Sequence, residues 1–209
     1  MTPKVIKFAQ KEEKIKKILF DYTPEKVVNN YKNAEDLLNI FKDSFSDIKK
    51  DAGNKSIWYK FSKSILSGAK FLSTFKSKED FDNFIKNFNL NKYTKASLPM
   101  LLSKEINGFG FALSCDFLKE LGYREYPKPD IHLIDLFYGL GISISRDDYE
   151  VYKDIIEFSD IIGKDAYTVD KIFWLICSGN FYRINKKMKP KKWEFIDYIN
   201  QKLKLIDKI

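Results

Sequence analysis

The residues in this chain best suited to chemistry are an aspartate and a pair of glycines. Asp130 stands in Lys128-Pro129-Asp130-Ile131-His132, directly before an apolar stretch that runs to Gly139 and Gly141. Proline is favoured in the first turn of a helix and aspartate at its N-cap, so this segment launches a helix with a carboxylate fixed at its start. A helix N-terminus favours negative charge. A carboxylate held there can stabilise a developing cation or align and deprotonate a water. Upstream, Gly108-Phe109-Gly110 separates two apolar segments, Leu98 to Ile106 and Phe111 to Leu121. Glycines in such a turn let two helices reverse direction with little linker, and let a phosphate approach bare main-chain N–H groups at the start of the second helix. Each feature also has a purely structural reading. Asp130 can be an N-cap and nothing more, and the glycines an ordinary helix–helix turn.

The elements that must position these residues are helical. Thr23-Pro24-Glu25 is an N-terminal signal, followed by Ala34, Leu37, Leu38, Phe41 and Phe45 at helix-face spacing. Trp58, Phe61, Ile65, Ala69 and Leu72 mark a second amphipathic helix. Ser77 and Asp80 have the spacing of a capping box before Phe81, Phe84, Ile85 and Phe88. The spacing predicts a polar connection from Asn87 to Lys95 and a helix starting at Pro99. Beyond Gly141, Asp147 and Asp148 can cap a helix lined by Tyr149, Tyr152, Ile155 and Ile156, with Gly163 at its end. Thr168-Val169-Asp170 opens another, closed by Gly179, and Pro190 opens the last. No segment alternates like a strand, and the pattern predicts an all-α fold of about nine or ten helices.

The 209 residues include 37 Lys+Arg against 29 Asp+Glu, a net charge of +8. Hydrophobic residues make up 44% and aromatics 16%, which a disordered chain would not carry. The basic balance fits either a solvated lysine-rich surface or a polyanionic partner. Arg183 to Lys192 contributes a basic run without an acid, in which Lys186 and Lys187 are candidate phosphate contacts. Two cysteines, Cys115 and Cys177, lie in apolar contexts, as expected of buried thiols in a reducing compartment. They are too few for a cysteine-ligated iron–sulfur cluster or a four-cysteine zinc site. No apolar leader or membrane-length run is present, so the expected location is cytoplasmic.

Taken together, Ile106-Asn107-Gly108-Phe109-Gly110 and Pro129-Asp130-Ile131-His132 resemble the helix-hairpin-helix superfamily of base-excision DNA glycosylases. The family pattern is a Leu-Pro-Gly-Val-Gly-type hairpin, an apolar helix, then Val-Asp-Thr-His and a further apolar helix. Ser64-Ile65-Leu66-Ser67 is similar to the family's Ile-Leu-Ser segment, with Gly68-Ala69-Lys70 in place of its glutamines. The resemblance covers residues 58–142. It implies a two-lobed helical bundle, with residues 51–122 as the hairpin lobe and residues 1–50 and 123–209 as the lobe carrying the catalytic aspartate.

The same resemblance implies double-stranded DNA as partner and a monomeric enzyme of base excision, serving repair or defence against modified foreign DNA. A damaged or modified base would be flipped out and its N-glycosidic bond hydrolysed by a water that Asp130 assists. Asn107, Gly108, Phe109, Gly110, Lys128 and His132 would be DNA contacts, and Trp58 and Tyr126 candidate walls of the base pocket. No cofactor is required; hairpin carbonyls in the superfamily often hold a monovalent cation. Members that also cut the strand carry a lysine where this chain has Ala112, so a water-using enzyme without lyase activity is implied. The rival reading is a non-catalytic helix-hairpin-helix DNA-binding protein.

Overall fold

The computed structural model describes residues 12–49, 53–181 and 186–206. Among these the fold is all-α, with eleven helices and one two-stranded ladder of two residues per strand. The chain forms two compact units, Met1–Asn83 with Ser103–Phe109, and Phe84–Leu102 with Gly110–Ile209.

The first unit contains α1 (Glu12–Ile18), α2 (Pro24–Asn30), α3 (Ala34–Ser44), α4 (Ile57–Leu72) and most of α5 (Lys78–Lys86). Side chains start the helices: Asn33 accepts from Asp36 N, Ser56 from Tyr59 N, and Ser77 from Asp80 N. α4 packs against both α2 and α3. Its inward stripe of Trp58, Phe61, Ile65, Leu66 and Ala69 meets Val27, Leu37, Phe41, Phe45 and Ile48. Four aromatic rings interlock there. Trp58 is stacked on Phe45 at 5.9 Å, tilted on Phe41 at 5.5 Å and edge-on to Phe61 at 6.2 Å. Burying such side chains contributes roughly 1.5–3 kcal/mol each.

The second unit is built on α8 (Ile131–Gly139), which packs against α9 (Asp148–Ile161), α10 (Ala166–Ser178) and α11 (Lys192–Ile206). Leu133, Phe137, Val151, Ile155 and Val169 are its buried centre, with Phe158 and Phe173 against Phe137. Leu136, Cys177 and Ile196 form a second apolar contact. Gly141 follows the end of α8 at φ +68°, and a Cβ on Gly139 would lie 2.9 Å from Ile196 Cδ1, so that side chain would have to shift. α6 (Lys92–Glu105) begins in this unit and α7 (Phe111–Glu120) lies within it. After α10 come β1 (Asn180–Phe181) and β2 (Lys186–Lys187), paired antiparallel. Gly179 ends α10 in the left-handed conformation, where a Cβ would sit 2.4 Å from the Met188 carbonyl oxygen.

Four expectations need correcting. Pro99 lies inside α6, which starts earlier because Asn91 Oδ1 accepts from Tyr93 N and Thr94 N. α10 starts at the Asp165 cap, whose carboxylate accepts from Thr168 N, leaving Asp170 within the helix. The short ladder was not legible, since two residues per strand carry no alternation. Finally, the division of the chain differs from the expected lobes. Residues 12–49 share a core with α4, because the stripe on α4 is the apolar surface that α2 and α3 bury.

Candidate functional site

In the first unit, the hairpin turn is fixed to α4 by two hydroxyls. Asn107 N donates to Ser67 Oγ at 2.8 Å, and Ser64 Oγ donates to the Asn107 carbonyl at 2.5 Å. Phe109 N closes the turn on the Ile106 carbonyl at 3.1 Å. Gly108 has φ +84°, and a Cβ on it would meet Ser64 Oγ at 3.1 Å. The conformation therefore calls for glycine, and any larger residue would also have to displace Ser64 Oγ by a few tenths of an ångström. Asn107 and Gly108 are exposed and Phe109 is half-buried. The Asn107 carbonyl receives the Ser64 hydroxyl. Among the described residues no group of three or more His, Cys, Asp or Glu side chains could hold a metal ion.

The second unit holds Gly110 and Asp130. Gly110 is the N-cap of α7, extended and exposed, and offers no side chain to the first N–H groups of that helix. Asp130 caps α8 with one oxygen. Oδ1 accepts from His132 N at 2.9 Å and from Leu133 N at 3.3 Å, while Oδ2 makes no hydrogen bond among the described residues. The residue is half-buried between the buried Pro129 and the exposed Ile131. His132 stands edge-on to Trp174 at 6.4 Å, and its buried Nδ1 has no hydrogen-bond partner. Lys171 Nζ lies 5.3 Å from the Trp174 ring centre. Burial pushes the Cys177 thiol in α10 up to about 11; Lys192 opposes the shift, and the charges of Asp130 and Asp135 add to it.

The loop that delivers Asp130 is held by four charged side chains. Lys119 Nζ bridges Asp116 Oδ1 at 2.9 Å and Asp170 Oδ2 at 3.2 Å. Lys128 is held at both ends, its main-chain N–H by Asp170 Oδ2 at 2.9 Å and its ammonium by Asp116 Oδ2 at 2.9 Å. Two residues later, Asp130 N donates to the Lys128 carbonyl at 2.9 Å. Burial works against the Lys119 ammonium, but Asp170 and Asp116 outweigh it and hold its pKa above the ordinary lysine value. For Asp116, burial is overcome by Lys119 and Lys128, which hold its carboxyl below the usual range. In Asp170 burial wins and pushes the carboxyl up despite Lys119.

The chain matches no family model, no curated protein and no solved structure. Several of the expected contacts are committed elsewhere. Trp58 belongs to the aromatic core of the first unit rather than to an open wall. Tyr126 is fully buried; its hydroxyl donates to Asn89 Oδ1 at 2.8 Å, and burial raises its pKa. Lys128 is paired with Asp116. Lys186 and Lys187 form β2, and their side chains lie outside the described residues, as does Arg183. Further along the basic run, Lys191 pairs with Glu194, and Lys192 with Asp135.

Sequence reasoning missed the carboxylates that organise this unit. Asp170 shares a helix face with Ala166, Val169, Phe173 and Cys177, all buried or half-buried. Asp135 interrupts the apolar run Leu133 to Phe137, and there it takes Arg146 Nη1 at 2.9 Å together with the Lys192 ammonium. Burial opposes its charge, but those two cations outweigh it and lower its pKa. In both cases the signal was a lone acid at a core position, which has to be paired to be tolerated.

Proposed function

We propose that the chain is a monofunctional DNA N-glycosylase acting through Asp130. The observation that carries this reading is the asymmetry of the Asp130 carboxylate. One oxygen is fixed by two main-chain N–H groups, and the other has no hydrogen-bond partner among the described residues and sits in a half-buried position. That arrangement suits a group that must hold its direction while meeting a water or a sugar. In the reaction, the bond from C1′ to the base breaks and positive charge builds on the deoxyribose, which the carboxylate stabilises. Water then bonds to C1′ and yields its proton to the carboxylate, leaving an abasic site. The departing base takes a proton from its surroundings. The bare N–H groups that open α7 would meet a DNA phosphate and orient the strand.

Lys119 supports the absence of strand cleavage. It lies on the same face of α7 as Ala112, two turns further along, but is bridged by two carboxylates that keep it protonated. A protonated amine cannot attack C1′. One observation favours the non-catalytic rival: the bonds that Asp130 makes are those of an ordinary helix cap.

An abasic-site assay over lesion-bearing and naturally modified duplexes separates the two. With Asp130→Asn beside the wild type, the glycosylase reading expects alkali-dependent cleavage on one substrate. The single-turnover rate should fall about a thousandfold in the variant, with the melting temperature and DNA affinity retained, since asparagine caps as well as aspartate. Silence of the wild type on every substrate, with DNA bound, selects the rival.

A further inference from the structure

The charge that could engage a long polyanion is not spread evenly over the first unit. α4 carries Lys60, Lys63 and Lys70 and has no acidic residue between Ile57 and Leu72. These positions follow i, i+3 and i+10, so the ammonium groups fall along one face over about 15 Å. All three lysines are exposed, whereas Trp58, Phe61, Ile65 and Ala69 on the opposite face are packed into the core. No ion pair engages any of the three among the described residues; Lys63 lies over the Tyr59 ring at 5.6 Å. Glu35 reaches the helix at Tyr59, in its first turn.

This stripe adjoins the hairpin turn. Ser64 and Ser67 sit between Lys63 and Lys70, and they are the two residues that hold Asn107. Lys104, exposed at the end of α6, enters the same turn. The basic face and the glycine turn are thus parts of one rigid surface, fixed by two hydroxyl contacts across some forty residues of sequence.

We infer that the exposed face of α4, from Lys60 through Lys63 to Lys70, with Lys104 and the Asn107-Gly108 turn, tracks the phosphate backbone of DNA. It extends the glycosylase reading by naming a second surface for the same partner, and takes from that reading the choice of DNA as the nucleic acid. The linear spacing suits a strand with a phosphate every 3.4 Å along its axis. A membrane surface fits less well, because a helix that binds lipid must turn its apolar face outward, and that of α4 is buried. The contacts would position the strand without reading its sequence.

The test compares the wild type, the triple variant Lys60→Gln/Lys63→Gln/Lys70→Gln, and a control of equal charge, Lys26→Gln/Lys32→Gln/Lys49→Gln. Affinity for an unmodified duplex is measured by fluorescence anisotropy across a range of salt. The slope of log affinity against log salt should shrink by about 2 to 3 in the stripe variant, about 0.9 for each lost phosphate contact, and by much less in the control. Circular dichroism and melting temperature should match the wild type. An unchanged slope, an equal change in the control, or a wild type that binds no duplex overturns the inference. Loss of binding to phosphatidylserine vesicles with duplex binding intact also overturns it. Duplex binding with this slope difference but no base excision by the wild type leaves the stripe standing and removes the glycosylase reading alone.

Discussion

The two units hold their important loops by opposite means. In the first, the hairpin turn rests on a helix whose other face is buried in aromatic packing, and the link is a pair of neutral hydroxyl contacts from Ser64 and Ser67. In the second, the Asp130 loop is gripped by Asp116, Lys119, Lys128 and Asp170, whose charges balance. Apolar packing is non-directional and tolerates substitutions that conserve volume. A buried ionic cluster contributes little net stability but is intolerant of losing one member. The first unit therefore gains stability from its core, whereas the second uses its charges to fix geometry.

The largest effect on folding is expected where packing dominates. Phe41 is fully buried and touches Phe45, Trp58 and Phe61. Phe41→Ala should cost about 3–5 kcal/mol in urea unfolding, whereas Phe41→Leu should cost far less. A small loss from Phe41→Ala would mean that the core can collapse around the void and would blur the contrast drawn above.

Next in size is the ionic cluster. Lys119→Met keeps most of the side-chain volume but leaves Asp170 buried with only the Lys128 N–H. A loss of about 3 kcal/mol is expected from the unpaired charge. The double variant Lys119→Met/Asp170→Leu should recover part of it, and the absence of any recovery would show that the cluster's role is more than charge balance.

The smallest effect is the dependence on pH. Asp116 and Asp135 have lowered pKa values, so their contribution is fully present above the ordinary carboxylate value of about 4 and is lost as pH falls through the lowered ones. Asp170 has a raised pKa, so protonating it first favours the folded state as pH falls through that value. Urea unfolding between pH 3 and 7 should show a weak rise before the acid loss. Asp170→Asn should shrink the rise, which Asp148 shares because burial also pushes its carboxyl up, and Asp116→Asn should flatten the loss. The same profile in all three proteins would contradict these assignments.

Much of the fold was legible because apolar periodicity and caps are local. The stripes on α3, α4 and α9 and the stops at Gly163 and Gly179 follow from residue type and spacing alone. Pro99 misled because a helix can absorb the loss of one N–H where tertiary packing supports it; Pro99 itself is buried. The candidate site was legible in its landmarks, the Gly108 turn and the Asp130 cap. It was not legible in its supports, because Asp116 and Asp170 reach Lys128 from distant parts of the sequence. The aromatic walls misled for a related reason: Trp58 and Tyr126 are large apolar bodies, and the interior claims such residues unless something keeps them out.

At Gly179 the chain passes so close to itself that one hydrogen atom is all the side chain the space admits. Among sequences that drift while keeping this shape, that codon would stay frozen while its neighbours change. An insertion between Gly179 and Met188 would be tolerated only if it left both ends in place, because Met188 N also donates to the Gly179 carbonyl at 2.8 Å. The positions of Gly179 and Met188 are thus fixed together, each by the other.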